Sequence, residues 1–191
     1  MNKTIGILAM QGAIKEHQDI ISKLPNTQNI LVKTVEDLDN IDGLILPGGE
    51  STAMGKLLDY FSLKVPLREK ILSGLPVFGT CAGLILLAKQ IENEQTTHLA
   101  TMNITVKRNA YGSQLDSFTT DLLIPEIDKS SPLPLVFIRA PYITDVNSSI
   151  KILAKLDGHI IAAKENNMLV SSFHPELTCD LRFHQYFRSM L

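Results

Sequence analysis

Cysteine is scarce in this sequence: 191 residues hold two, Cys81 and Cys179, far apart along the chain. That is no disulfide framework, and it points to a reducing compartment. Blocks of like charge are missing as well, with 18 Lys and Arg against 20 Asp and Glu and a formal net charge of −2. A nucleic-acid surface would show as clustered Lys and Arg, so that class is set aside. No apolar run is long enough to span a bilayer; Val77 to Ala88 is the longest and is interrupted by Gly79, Thr80 and Gly83. Lys3 followed by Ile5 to Met10 imitates a signal peptide, but the run stops at Gln11 without a small-residue cleavage site. No His, Cys and Asp cluster has metal-ligand spacing, and repeats and low-complexity segments are lacking. The expectation is a cytoplasmic protein with no metal, no cofactor, and neither nucleic acid nor membrane as partner.

What is present suffices for one domain over residues 1–191, since 45% of the residues are hydrophobic and the length allows a substantial core. Thr4 to Met10 is a continuous apolar run with β-branched residues, the pattern of a strand buried on both faces. Ala13 to Leu24 reads as a helix with Ile14, Ile21 and Leu24 on one side. Ile30 to Lys33 and Gly43 to Leu46 read as strands, with a helical turn around Glu36 to Leu38 between them. Ser51 or Thr52 is placed to cap a helix through Met54, Leu57 and Leu58. A further helix runs from Pro66 to Ser73, a strand covers Pro76 to Phe78, and a helix covers Leu84 to Lys89. After Ile91 the texture becomes strand-rich: Met102 to Lys107, Gln114 to Ile124 and Leu135 to Ile138, with Ser130 to Pro134 as a loop. Ile150 to Leu156 and Ile160 to Lys164 are joined by Asp157-Gly158, a hairpin turn signal, and Met168 to Ser172 follows. Asp180 is placed to cap a last helix, Leu181 to Met190. The fold expected is α/β: a three-layer sandwich with a mostly parallel central sheet flanked by helices, and antiparallel strands added in the C-terminal half.

Three segments carry chemistry. Gly79-Thr80-Cys81-Ala82-Gly83 lies between a strand and a helix, the cysteine version of the G-x-S-x-G nucleophile elbow. Glycines let the chain turn sharply there, and the start of a helix favours a thiolate; a small buried cysteine is the competing reading. Pro47-Gly48-Gly49-Glu50-Ser51-Thr52 is a glycine-rich loop that matches neither Walker A nor G-x-G-x-x-G, so a tight turn competes with a phosphate cradle. In Ser171 to Glu176, residues two apart in an extended chain point to one side, so His174 and Glu176 can be neighbours across Pro175. A carboxylate beside one imidazole nitrogen fixes the tautomer and leaves the other to take a thiol proton. A surface His-Pro-Glu turn competes here too.

The order Cys, His, Glu together with the Gly48-Gly49 loop resembles the class I, triad-type glutamine amidotransferases. The resemblance narrows to the glutaminase subunits of pyridoxal 5′-phosphate synthase through Leu8 to Gly12 with Glu16-His17, Leu46 to Thr52, Phe78 to Leu84, Arg108-Asn109 with Tyr111-Gly112, Phe137 to Pro141, and Phe173 to Thr178. It runs nearly end to end; Met10 and Cys179 are mild departures. The resemblance implies Cys81 as nucleophile, His174 as general base and acid, and Glu176 as its orienter. It implies glutamine contacts from Gly49, Glu50, Ser51, Arg108, Ile138 and Arg139, and an oxyanion or interface role for Gly48, Ala82 and Gln11. Free glutamine carries an α-carboxylate, so Arg108 or Arg139 is expected to meet it. His17 is expected at a helix surface or interface; His98, His159 and His184 have no companion motif and are expected to be structural or exposed, and Cys179 is a bystander. The implied partner is a separate barrel-shaped synthase subunit that combines the ammonia with a pentose phosphate and glyceraldehyde 3-phosphate. A glutaminase subunit of another pathway, such as imidazole glycerol phosphate formation, a cysteine hydrolase of peptides or small amides, and a non-enzymatic binding module remain the alternatives.

Overall fold

The structure, a computed structural model, describes residues 2–110 and 117–191. Strand and helix alternate in the N-terminal half: β1 (Lys3–Leu8), α1 (Ile14–Ile21), β2 (Thr27–Val32), a 3₁₀ turn over Glu36–Asn40, β3 (Gly43–Leu46), α2 (Ser51–Tyr60), α3 (Lys64–Leu72), β4 (Val77–Thr80) and α4 (Ala82–Leu87). Strands then dominate: β5 (Ala88–Ile91), β6 (Met102–Lys107), β7 (Ser117–Leu122), β8 (Leu133–Ile138), β9 (Tyr142–Val146), β10 (Lys151–Leu156), β11 (His159–Glu165) and β12 (Met168–Ser171). A 3₁₀ turn over Pro175–Leu177 leads to α5 (Arg182–Arg188).

The main sheet has ten strands in the order β2-β1-β3-β4-β12-β11-β9-β6-β5, with β10 paired to β11. From β2 to β12 every pairing is parallel. β11 then runs antiparallel to β12, β9 and β10, and β6 antiparallel to β9. The expected division between a parallel first half and an antiparallel extension is what the chain adopts. Parallel strands carry helices on both faces, and the alternating residues of each strand feed two separate cores. Leu44, Leu46, Val77 and Val170 join the side chains of α2, α3 and α4, including Met54, Leu58, Leu67 and Leu84. Ile5, Ile7, Ile45, Phe78 and Leu169 face the other way, against Ile20 and Ile21 of α1, Phe183 and Phe187 of α5, and Leu135 and Phe137 of β8. The β7–β8 ribbon is a separate two-stranded sheet over that second core.

Several local expectations are corrected. The Leu84 to Lys89 run is helical only to Leu87; Ala88 turns to φ −61°, ψ 135° and starts β5. An apolar run without a breaker does not say where helix gives way to strand. β9 was not anticipated, because of Tyr142-Ile143-Thr144-Asp145-Val146 only Ile143 is buried. Leu133 and Pro134 belong to β8, not to the preceding loop. Asp157 and Gly158 both have positive φ, 49° and 83°, as a type I′ hairpin turn requires. The cap of α2 is Glu50, whose carboxylate accepts the Thr52 and Ala53 N–H groups, rather than Ser51 or Thr52. Tyr111-Gly112 and the first residues of the expected Gln114 to Ile124 strand lie outside the described residues. Among the described residues no helix is long and apolar enough to cross a membrane.

Candidate active site

Neighbouring parallel strands deliver the site. β1, β3, β4 and β12 are adjacent, and beyond their C-terminal ends lie Gln11, Gly48-Gly49, Cys81 and His174 respectively. Open α/β sheets place their sites at such ends. Cys81 sits between β4 and α4 with φ 48°, ψ −99°, outside the regions a side chain ordinarily adopts. Such a backbone costs about 1–3 kcal/mol and persists only when its surroundings hold it. Here the Cys81 N–H donates to the Ser171 carbonyl at 2.8 Å. The flanking glycines serve close approach rather than the sharp turn expected of them. A Cβ on Gly83 would lie 2.1 Å from the Leu46 carbonyl oxygen, and one on Gly79 would lie 2.6 Å from the Gly83 carbonyl. The strain falls on the cysteine, and the glycines let β4 and α4 close around it.

His174 is held by its N–H donating to the Val136 carbonyl at 2.8 Å. Its Nδ1–H donates to Glu176 Oε1 at 2.7 Å, which leaves Nε2 for the thiol. The three residues are 8%, 7% and 5% exposed for Cys81, His174 and Glu176, so their mutual electrostatics are only weakly screened by water. Burial works against the charged imidazole, but hydrogen bonds to Cys81 and Glu176 outweigh it and raise the His174 pKa to about 10. Burial likewise opposes the Glu176 carboxylate; the nearby His17 and the bond to His174 overcome this and lower its pKa. The arrangement can hold a proton on His174 opposite a sulfur nucleophile, and it can pass that proton on.

A cleft of about 570 Å³ opens over Cys81, a size typical of small-ligand sites. Gln11, Gly48, Gly49, Glu50, Ser51, Ala82, Arg108, Ile138, Arg139 and His174 line it with Cys81, so every expected site residue reaches it except Glu176, which lies behind His174. Gln11 Oε1 accepts the Glu50 N–H at 2.8 Å, and the Gly48 carbonyl accepts the Ala13 N–H at 2.9 Å. The glycine loop is thus tied to the segment after β1 from both sides. Arg108 divides its guanidinium between Glu50 and Glu94, each at 3.0 Å, and Thr52 Oγ1 at 3.2 Å. Its charge is already engaged, whereas Arg139 forms no salt bridge among the described residues. Ser51 Oγ is buried without a hydrogen-bond partner among them. The cleft also includes Glu16, Asn109 and Pro141, which stood inside the recognised motifs but carried no assigned role.

One histidine is corrected, and a second takes a structural place. His17, expected at a helix surface or interface, is fully buried; His184, expected to be structural or exposed, is 1% exposed. His17 Nδ1 meets His184 Nε2 at 3.1 Å, and His17 Nε2 lies 3.3 Å from Thr80 Oγ1 and 3.7 Å from Glu176 Oε1. The helical spacing of Ile14, His17 and Ile21 puts His17 on the same face as the core residues. That spacing is the signal in the sequence for its burial. Cys179 is exposed and apart from the cleft. Among the described residues no group of three or more His, Cys, Asp or Glu is placed to hold a metal ion.

Comparison with known proteins agrees with this geometry. Residues 7–191 match the SNO glutamine amidotransferase family. The chain is 57% identical over 183 residues to the pyridoxal 5′-phosphate synthase subunit PdxT of Carboxydothermus hydrogenoformans, covering 96% of this chain and 95% of that one. It is 52% identical over 189 residues to PdxT of Ruminiclostridium cellulolyticum, covering 99% and 100%. A crystal structure of a glutamine amidotransferase, 37% identical, superposes with a TM-score of 0.91 over 97% of both chains. The PurLQS structure from Thermotoga maritima, at 13% identity and a TM-score of 0.72 over 100% of this chain and 98% of that one, shares the fold. The chain belongs to the SNO glutamine amidotransferase family.

Proposed function

We propose that this chain hydrolyses L-glutamine to L-glutamate and ammonia as the glutaminase subunit of a pyridoxal 5′-phosphate synthase. The observation that carries the reading is the line Cys81–His174–Glu176 at the floor of a cleft whose walls are the glycine loop and the Ile138-Arg139 segment. The main sheet takes strands from both halves of the chain, which supports reading residues 1–191 as one glutaminase domain.

The Cys81 thiol gives its proton to His174, and its sulfur attacks the side-chain amide carbon of glutamine, forming a C–S bond and a tetrahedral oxyanion. Backbone N–H groups of Gly49 and Ala82, both on the cleft wall, receive the oxyanion where charge develops. His174 donates its proton to the amide nitrogen, the C–N bond breaks, and ammonia leaves a γ-glutamyl thioester. His174 then takes a proton from water, the hydroxide adds to the thioester, and glutamate departs as the thiol is restored. Glu176 keeps the imidazole oriented and stabilises its charge throughout. Arg139 meets the α-carboxylate of glutamine, since Arg108 is held by Glu50 and Glu94. Arg108 and Glu50 shape the wall, and the unpartnered Ser51 hydroxyl is available to the ligand.

The relatives named as synthase subunits support a second chain as acceptor of the ammonia, a barrel-shaped synthase that joins it to a pentose phosphate and glyceraldehyde 3-phosphate. Glutamate release is measured with and without that synthase, beside Cys81→Ala. The expected result is weak activity alone, stimulation by the synthase, and none in the variant. Equal turnover in both conditions removes the subunit reading, and persistent activity of Cys81→Ala removes the mechanism.

A further inference from the structure

The ion pair between His174 and Glu176 is backed by a second layer of buried polar groups that the reaction just described does not use. His17 on α1, Thr80 at the end of β4 and His184 on α5 are all buried, and they converge behind the Glu176 carboxylate. Protons on this cluster follow from what the neighbours accept. Burial lowers the pKa of His184 to about 3, so its ring is neutral and carries one proton. His184 Nδ1 is buried without a partner among the described residues. A bare ring nitrogen there costs less than an orphaned N–H, which folded proteins rarely tolerate. The His184 proton therefore sits on Nε2 and is donated to His17 Nδ1 across the 3.1 Å contact. Burial also lowers the His17 pKa, against the pull of Glu176, so His17 is neutral with its own proton on Nε2. That N–H is donated to Thr80 Oγ1 at 3.3 Å, and the same edge of the ring faces Glu176 Oε1 at 3.7 Å, an electrostatic contact beyond hydrogen-bond length. The other tautomer would turn a lone pair toward the carboxylate and is repelled by it.

We propose that His17, its tautomer fixed by His184, is a positioning residue of the active site: its Nε2–H bonds Thr80, the neighbour of the nucleophile, and turns its positive end toward the Glu176 carboxylate. The inference rests on the triad reading. His17 touches neither substrate nor thiol; it acts through Glu176 on the imidazole that Glu176 orients. Because one edge of the ring meets both, α1 couples β4, which ends at Thr80 just before Cys81, to the turn carrying Glu176. The titratable groups acting on His17 are Glu176 and His174 from the turn after β12 and Glu16 from its own helix, with His184 of α5 in direct contact.

The test begins with the wild-type chain, labelled with ¹⁵N-histidine. Long-range ¹H–¹⁵N correlations at neutral pH are expected to show His17 neutral and protonated on Nε2; an Nδ1–H tautomer or a charged ring overturns the proposal. Glutamate release is then measured with the synthase subunit present for His17→Phe, which keeps bulk and loses the donor, and for His17→Gln, which offers an amide N–H near the place of Nε2. His17→Phe is expected to lower kcat by about tenfold, while the glutamine KM stays within about twofold. The alkaline limit of kcat is expected to fall by about half a pH unit, because a less firmly held Glu176 gives less support to the imidazolium that protonates the leaving amine. His17→Gln is expected to recover most of both. Unchanged kcat and pH limit in His17→Phe, or equal losses in both variants with the pH limit unmoved, overturn the proposal. If His17→Phe does not fold, the wild-type tautomer and the His17→Gln kinetics decide. Residual activity in Cys81→Ala would instead sink the triad reading; an inactive Cys81→Ala beside a fully active His17→Phe sinks the positioning role alone.

Discussion

Gly48→Ala tests how tightly the catalytic imidazole is seated. A Cβ at Gly48 would lie 2.4 Å from His174 Cε1, 2.9 Å from Nδ1 and 3.5 Å from the Cys81 Cβ. Ordinary contact starts at 3.4 Å, so something must yield by about 1 Å. The loop is poorly placed to do so, since the Gly48 carbonyl holds Ala13 at 2.9 Å and the next residue but one is tied to Gln11 at 2.8 Å. The ring yields instead, and with it the 2.7 Å bond to Glu176. Misplacing a catalytic group by about 1 Å costs about 100-fold in rate, or about 2.7 kcal/mol in the barrier. We expect kcat for glutamate release to fall by about that factor with secondary structure intact by circular dichroism. Alkylation of Cys81 by iodoacetamide, which needs no oxyanion hole, is expected to slow as well, tracing the loss to the displaced imidazole. A variant within about threefold of wild type in both assays would refute the reasoning.

The remaining predictions concern charge, packing and substrate binding. The His174 pKa is raised from 6.5 to about 10. Its contribution to stability is therefore complete below pH 6.5 and is lost as pH rises through about 10. Urea unfolding between those limits should show stability declining with pH, and Glu176→Gln should flatten the decline; parallel curves would count against the ion pair. Gly83→Ala places a methyl 2.1 Å from the Leu46 carbonyl oxygen, a backbone atom in the middle of β3 and α4 packing. It should cost about 1–3 kcal/mol, lowering Tm by about 3–10 °C, and an unchanged melting curve would contradict the close approach. Arg139→Ala should raise the glutamine KM by about tenfold or more with kcat little changed. Arg108→Ala, which removes half-exposed pairs with Glu50 and Glu94, should move KM by less than about threefold; the reverse ranking would return the α-carboxylate to Arg108.

Much of the fold was legible because its central strands are buried on both faces. Leu44, Ile45 and Leu46 enter opposite cores in alternation, and so do Val77 with Phe78 and Leu169 with Val170. Continuous apolar runs are what such strands require, and the glycines and prolines between them mark the turns. The added strands were harder. β5 continues an apolar helix without a break, and β9 owes its conformation to partners on either side, β6 and β11, rather than to its own residues. A segment whose structure is imposed by tertiary pairing carries little local signal. At the elbow the backbone departs from the expectation. The sequence pattern suggested glycines that turn; instead Cys81 takes the positive φ, and the glycines clear space for the Leu46 carbonyl and for each other.

The candidate triad could be read because its residue types are diagnostic at short range: Cys81 within an elbow, and His174 two residues from Glu176. What lies behind it joins residues 167 positions apart, and no spacing rule reaches that far. The packing of aromatic side chains closes the distance. Phe183 stacks on Phe78 with ring centroids 5.4 Å apart, and Phe187 lies 5.6 Å from the same ring. Phe78 stands three residues before Cys81 on β4, so α5 is docked against the strand that carries the nucleophile. That docking brings His184 against both Phe78 and His17. The apolar contacts of α5 therefore do more than close a core face. They set the polar contact that fixes His17, and through it the carboxylate that orients the imidazole. A polar residue on an otherwise apolar helix face is costly to bury unpartnered, so a histidine at a core position implies a partner even when the sequence does not name one.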